Sequence, residues 1–568
     1  MKLDWEHLIH PARAARHKLL LALAFTVLTS ASATALADAA VAAPPAPTVP
    51  EALQAPDPAP ANDTQTPFAD SDMTWANATT RNANPIFDTK LFTPEIRFDM
   101  NYLLQSHNPK DHTIGGSTEE FRSDEFQIEQ VSFGGDFHWE GVHARFLSMF
   151  GEFATTTPRN DGSAGVGAWD LQGAYKYMSE ANAGYHWDNI NHGLNVDMGI
   201  FVSYIGLFSY YNFDNWTYQP SFVSSNTPWF FNGLRVQWFP TQHLKIEPWL
   251  INGWQSYAMY NKWPGFGGQI LYIPNDRWRW VFNTYSLGED NLANQGTVCT
   301  GATQSTCTGN YYNTPVNPCN DTNGNAEAEY EAGTGLPGAL TCDPNTPGVN
   351  YAHVHRIHED DSVEYKYYDA QTQKSAALDA MGIARMAFSW TLDVGCEYGG
   401  GVACFRGPNK EGFVGSMIYD RTWFGKSNHY ALTLGGGFFN NPGRYLALVP
   451  PIGGATALSG TPYVTEAPGL KLFQWDTQVN FQYMPKPWIT WWTEVTYRYS
   501  DIPYWTGAQG ITPPNNGLQG VAGGVAGALA CNDGSLAGSN SCATDGGLWQ
   551  PDLKKSEAVF GFGVMIKF

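Results

Sequence analysis

Residues Ser556–Phe568 read SEAVFGFGVMIKF. Side chains alternate across an extended chain, so Phe560, Phe562, Val564, Ile566 and Phe568 fall on one face and Gly561, Gly563, Met565 and Lys567 on the other. One face suits hydrocarbon, and the other suits a narrow or wet interior. The same two-residue period returns upstream. At Leu472–Ser500, Phe473, Trp475, Thr477, Val479, Phe481 and Tyr483 oppose Gln474, Asp476, Gln478, Asn480 and Gln482. Met484-Pro485-Lys486-Pro487 reads as the turn, and Ile489, Trp491, Val495, Tyr497 and Tyr499 then share a face opposite Glu494 and Arg498.

From Pro94 onward Ile96, Phe98, Met100 and Tyr102 alternate with Glu95, Arg97, Asp99 and Asn101. Short polar connections recur at Glu140-Gly141, Thr241-Gln242-His243, Pro274-Asn275-Asp276 and Gly425 to Asn428. Long loops are expected at 154–168, 203–229, 287–360, 396–410, 439–468 and 501–554. Short turns on one side and long loops on the other are the asymmetry of outer-membrane barrels, and a closing strand with a terminal aromatic also serves there as the assembly signal. About 16 strands follow if Val363–Tyr367 and Met386–Val394 are two of them. An even number returns the carboxyl end to the periplasm. Trp139, Tyr272, Trp278, Trp423, Tyr430, Tyr483, Trp488 and Tyr499 are expected in the interfacial girdles, where amphipathic rings sit at headgroup level.

At the other end, Arg13, Arg16 and Lys18 precede the apolar run Leu19–Leu28, and Ala35-Leu36-Ala37 offers small residues for cleavage. Residues 1–37 therefore read as a secretory signal peptide. Residues 38–88, rich in Ala and Pro without apolar period, read as a disordered periplasmic linker, and 89–568 as the barrel. No stretch approaches the roughly 18 apolar residues of a membrane-spanning helix.

The 58 glycines, 14% aromatic residues and mean hydropathy of −0.31 suit many strands with wet loops. Loss of residues 1–37 removes Lys2, Arg13, Arg16, Lys18, Asp4 and Glu6, taking the net charge from −21 to −23. Nucleic acid is thereby excluded as a partner, and a weak cation preference is expected of any lumen. Eight cysteines in an exported chain favour disulfides. Local pairing of Cys396 with Cys404 and of Cys531 with Cys542 would staple loops, while Cys299, Cys307, Cys319 and Cys342 leave three connectivities open. All eight are expected outside the strands.

Gly199 and Gly206, then Asn215-Trp216-Thr217-Tyr218, Ser221, Pro228, Gly233 and Asn252-Gly253-Trp254, resemble the putative β-barrel porin-2 family, also called OmpL-like porins. The resemblance is tightest over Gly199–Trp254 and extends loosely over 94–568. It implies a barrel that admits small solutes. Ile200-Phe201 and Leu207-Phe208 stand where the family would place a basic and an acidic residue.

Parity assigns Glu95, Arg97, Asp99, Arg235, Lys245, Glu247, Arg279, Arg385, Asp393, Asp476, Glu494 and Arg498 to the interior. Arg rows facing carboxylates would set a transverse field across a constriction, or would brace the wall as lumen salt bridges. The aromatic stretch Leu207–Trp229 has the density to fold inward, or to cap the outer mouth. His353, His355 and His358 with Glu359, Asp360 and Asp361, and Asp321 to Asn325, read as solvated loop polarity rather than metal ligands, so neither metal nor cofactor is expected. No spaced Ser-His-acid set marks an enzyme. The sequence thus reads as an all-β, non-catalytic diffusion channel of the bacterial outer membrane for small hydrophilic solutes or ions. Its partners would be outer-membrane lipid, the barrel assembly machinery through the Phe568 strand, and other copies of itself. A closed barrel acting as receptor or adhesin through stapled loops is the alternative.

Overall fold

Sixteen antiparallel strands close into one barrel. The computed structural model describes residues 49–58, 63–82, 85–109, 112, 114, 120–159, 161, 171–259, 263–286, 298–299, 307–308, 319–320, 341–342, 355–399, 403–407, 410–441, 472–501, 504–508 and 553–568. In chain order the barrel strands are β1 (Phe92–Gln105), β2 (Phe126–Trp139), β3 (Val142–Ser148), β4 (Met178–Trp187), β5 (Leu194–Val202), β6 (Phe230–Thr241), β7 (Leu244–Ile251) and β8 (Gly265–Asn275). They continue as β9 (Trp278–Ser286), β10 (His355–Asp369), β11 (Ile383–Tyr398), β12 (Gly412–Phe424), β13 (Tyr430–Asn441), β14 (Leu472–Lys486), β15 (Ile489–Ser500) and β16 (Ser556–Lys567). Every strand pairs with its sequence neighbours, and β16 closes on β1 from Arg97 opposite Lys567 to Gln105 opposite Val559. Closure leaves no unpaired edge, which is what lets strands cross a bilayer.

Burial is inverted relative to a soluble sheet. On β14 Gln474, Asp476, Gln478, Asn480 and Gln482 are buried, whereas Phe473, Val479, Phe481 and Tyr483 are exposed. On β16 Phe560 and Phe562 are exposed while Gly561 is covered. The outer rings form ladders at strand ends: Trp278 stacks on Tyr365 at 4.1 Å and Tyr430 on Tyr483 at 5.0 Å. Among the described residues no helix is long and apolar enough to cross a membrane.

Several boundaries differ from the sequence expectation. Strands β10 and β11 run well beyond Val363–Tyr367 and Met386–Val394, so His355–Asp361 is ladder rather than loop. Outward Glu359 accepts a bond from Thr284 Oγ1 at 2.7 Å, and this polar pair on the outer face hides the two-residue period. Cys396 consequently sits inside β11, and its disulfide to Cys404 ties the strand top to the following loop. Met484-Pro485-Lys486 still belongs to β14, leaving Pro487-Trp488 as the turn. Trp423 is no girdle residue: it points inward, 6% exposed, edge-on to Trp216. Turns at 188–193 and at 370–382, the latter carrying the helical turn Ala376–Ala380, were not marked by the sequence pattern.

Glu51–Phe568 is one compact unit, so the barrel's packing begins before residue 89. Residues 63–82, expected as linker, lie against the inner wall, held by Phe68, Met73, Trp75 and Ala76, whose burial has no strand or helix period to reveal it. The signal peptide, most of the remaining linker, Cys531, Cys542, His353 and Asp321–Asn325 lie outside the described residues.

Candidate functional site

Loop 203–229 leaves β5 and returns to β6 after crossing the barrel. Its first turn is permitted by Gly206 at φ +102°, a conformation that disfavours side chains with a Cβ. Asn215 then closes the loop on itself, accepting from Ser209 N and donating to Ser209 O, both at 2.8 Å. The tip is seated on β14 and β15, eight strands from β6 in a ring of sixteen and therefore on the opposite wall.

Two carboxylates hold it there. Glu494 accepts the backbone N–H of Tyr218 at 2.8 Å and of Gln219 at 2.9 Å. Asp476 accepts Ser221 Oγ and Phe222 N at 2.8 Å and Gly437 N at 3.1 Å. Charged acceptors facing backbone donors in a dry interior make strong hydrogen bonds. Aromatic packing adds to them: Tyr218 stacks on Trp492 with ring centres 3.7 Å apart. Arg421 and Thr433 donate to Trp216 O at 2.8 and 3.0 Å. The wall accommodates the loop where it carries glycine. A Cβ on Gly437 would come within 2.7 Å of Ser221 Oγ, and one on Gly415 within 3.2 Å of Val223.

The ten charged residues Glu95, Arg97, Asp99, Arg235, Arg279, Arg385, Asp393, Asp476, Glu494 and Arg498 all lie on the inner face, each with a partner. Arg97 bonds Glu95 and reaches Asp214 of the loop at 3.0 Å; Glu95 also meets Arg145 at 2.9 Å. Asp99 accepts from Asn212 and Tyr218, both at 3.1 Å. Arg235 pairs with Asp197 at 2.9 Å, Arg279 with Glu364 at 2.8 Å and Arg498 with Glu557 at 3.1 Å. Arg385 lies 3.4 Å from both Asp72 and Asp369, and Asp393 lies 2.7 Å from His358. The five arginines each have a carboxylate within 3.4 Å, whereas Asp99, Asp476 and Glu494 are held by uncharged donors. Burial pushes the Asp214 carboxyl up, yet Lys567 and Arg97 outweigh it and hold the group below the usual carboxylate range.

Beneath the loop, at the end of the barrel that carries the short turns, residues 63–82 form a strap. Phe68 N donates to Gln242 O of the β6–β7 turn at 2.8 Å, and Trp75 Nε1 to Asp276 O of the β8–β9 turn at 2.9 Å. Asn77 is held from three sides: its N–H donates to Glu364 at 2.7 Å, its carbonyl accepts from Arg279 at 2.8 Å, and Oδ1 accepts from Trp216 N at 2.7 Å. Farther on, Arg81 bonds Thr490 of β15 and lies 4.1 Å over the Phe213 ring, and Asn82 donates to Lys567 O of β16 at 2.7 Å. From β7 to β15 is again half the ring.

The strap and Asp214, Glu364, Asp197, Arg145 and Arg421 are the parts of the site the sequence reading missed. The run Gly435-Gly436-Gly437, which in the middle of a strand signals close approach by another chain segment, is the mark that could have located the loop's seat. The grouped His and acidic residues are divided by strand parity, His358 and Asp360 facing in and His355, Glu359 and Asp361 facing out. Among the described residues no three His, Cys, Asp or Glu are placed to hold a metal ion.

The family model described as putative beta-barrel porin-2, OmpL-like, matches residues 98–317. No curated protein matches the chain. Among solved structures, the outer membrane channel DcaP of Acinetobacter baumannii is 10% identical with a TM-score of 0.39, covering 84% of this chain and 96% of its own. OmpT, an outer membrane protein of Vibrio cholerae, is 9% identical at a TM-score of 0.38, covering 84% and 97%. OprB of Pseudomonas putida is 9% identical at 0.39, covering 84% and 94%. Over residues 98–317 the chain is similar to that porin family, and with the closed barrel this likeness places it in the bacterial outer membrane.

Proposed function

We propose that this outer-membrane porin is a passive, non-catalytic path for small hydrophilic solutes or ions, with its selectivity step at the loop pinned across the lumen. The observation that carries this is the Glu494 and Asp476 clamp on Tyr218–Phe222. It narrows a polar-walled barrel from within, at fixed register, and surrounds the narrowing with paired charges. A barrel serving only to present outer loops has no use for that clamp.

The ten inner-face charges are proposed as lining of the solute path. Residues 1–37 are proposed as an export signal, the Phe568 strand as the segment read by the assembly machinery, and the outer wall as lipid-facing with room for contact between copies. Planar-bilayer recording on the refolded full chain, and on a form lacking residues 63–82, tests the channel. Discrete current steps from either are expected, with a reversal potential in a salt gradient showing weak cation preference from the acidic balance. Silence from both, when each shifts on heating in gel electrophoresis as a folded barrel does, would overturn the reading.

A further inference from the structure

The strap has no part in the strand ladder. Residues 63–82 form neither strand nor helix, and they reach the wall through separate hydrogen bonds, largely to turn carbonyls and to side chains at the turn-bearing ends of strands. Barrel pairing is complete without them. Their centre is nonetheless dry: Trp75 and Asn77 are wholly buried and Ala76 nearly so. Trp75 packs in one cluster with Leu207, Trp216 and Val223 of the inward loop and with Ala387, Met417 and Trp423 of the wall. On the other side Asp70 and Asp72 are about half exposed. The segment is thus a wedge whose buried centre, Trp75 to Asn77, packs against the loop, with Arg81 laid over Phe213 of the same loop.

Two further features fit an element that leaves its seat. The strap meets the inward loop through Trp216 N to Asn77 Oδ1, Trp216 Nε1 to Trp75 O at 3.0 Å and Arg81 to Phe213 O at 3.4 Å, so withdrawal strips the loop of its support from below. The loop keeps its own clamp on Glu494 and Asp476, which lies on β14 and β15 and does not involve the strap. Withdrawal of the strap therefore leaves the loop's clamp on the far wall in place.

We propose that residues 63–82 are a gate: seated as in this structure they close the barrel's turn-bearing mouth, and the path conducts when they withdraw from it. The inference rests on the channel reading above.

Single-channel recording on the full chain, on Trp75→Ala, on Arg81→Ala and on the form lacking 63–82 tests it. Trp75 and Arg81 belong to the strap alone, and heat-shifted mobility of each variant reports that the barrel has folded. The full chain is expected to open rarely. Either substitution should raise open probability on the order of tenfold at unchanged step size, and the deletion should stay open. Equal open probability in all four folded forms would overturn the gate while leaving the channel intact. So would a deletion that enlarges each current step but opens no more often than the full chain. Silence from every folded form would remove the channel reading itself and the gate with it.

Discussion

Glu494→Gln is the sharpest perturbation of the inward loop, because both carboxylate oxygens are committed. Oε2 accepts Tyr218 N at 2.8 Å and Asn480 Nδ2 at 2.9 Å, while Oε1 accepts Gln219 N at 2.9 Å and Thr496 Oγ1 at 3.2 Å. An amide retains one acceptor oxygen. Whichever way it turns, its NH2 faces a backbone N–H, so one buried donor on the loop is orphaned. An orphaned buried donor costs about 1–3 kcal/mol, and the surviving bond loses its charge. A loss of about 2 kcal/mol in seating energy follows, or roughly a 30-fold larger fraction of time with the tip unseated. Amide hydrogen exchange on detergent-solubilised protein reads this directly. Protection at Tyr218 and Gln219 should fall about 30-fold, while the amides of β14 and β15 keep theirs. In Asp476→Asn the amide can keep its oxygen on Ser221 Oγ and Phe222 N by turning its NH2 toward Gly437 N, so the orphaned donor falls on the wall and protection at Phe222 should fall less, through loss of the acceptor's charge alone. Unchanged protection at residues 218–222 in both folded variants would refute the claim that these carboxylates hold the loop.

Two further outcomes follow from loop chemistry. In the loop after β3, burial lifts the Glu152 carboxyl to about 7. A carboxyl whose pKa is raised on folding contributes stability that is fully present below its unfolded value near 4.5 and is lost as pH rises through about 7, here at most about 3 kcal/mol. Glu152→Gln should therefore raise the midpoint of heat modification at pH 8 and change little at pH 4; equal effects at both would contradict the assignment. For the cysteines, backbone register sets Cys299 opposite Cys307 and Cys319 opposite Cys342. Peptide mapping without reduction should recover those two pairs beside Cys396–Cys404, and a Cys299–Cys342 peptide would show that the register does not govern the bonds.

The barrel was legible because a bilayer imposes one rule on every strand, hydrocarbon outside and polar groups inside. Gln474 to Gln482 opposite Phe473 to Tyr483 states that rule in full. Parity therefore assigned the ten charged candidates to a single face, the one that carries Gln474 to Gln482 on β14. It lost force where outward residues are themselves polar and paired, as at Glu359 with Thr284, and β10 and β11 were read too short in consequence. Which way the aromatic loop turns was not legible, since Leu207–Trp229 carries the same residues whether it caps the mouth or enters it. Its direction is settled by contacts on distant strands, Glu494 and Asp476 among them.

The strap shows the same limit more strongly. Trp75 and Asn77 stand in a stretch next to Ala- and Pro-rich sequence, and no period distinguishes a segment laid across a lumen from one free in solvent. Nor does charge alone tell a solute-facing group from a structural one. A buried ion must be matched to persist, and in this barrel part of the match comes from outside the residue's own strand: Asp214 of the loop for Arg97 beside Glu95 of its own strand, Asp72 of the strap for Arg385, Glu364 of the next strand for Arg279. Removing loop or strap therefore does more than widen the lumen. It leaves Arg97 and Arg385 each short of one carboxylate and facing the new opening, so the charge presented to a passing solute depends on whether these segments are seated.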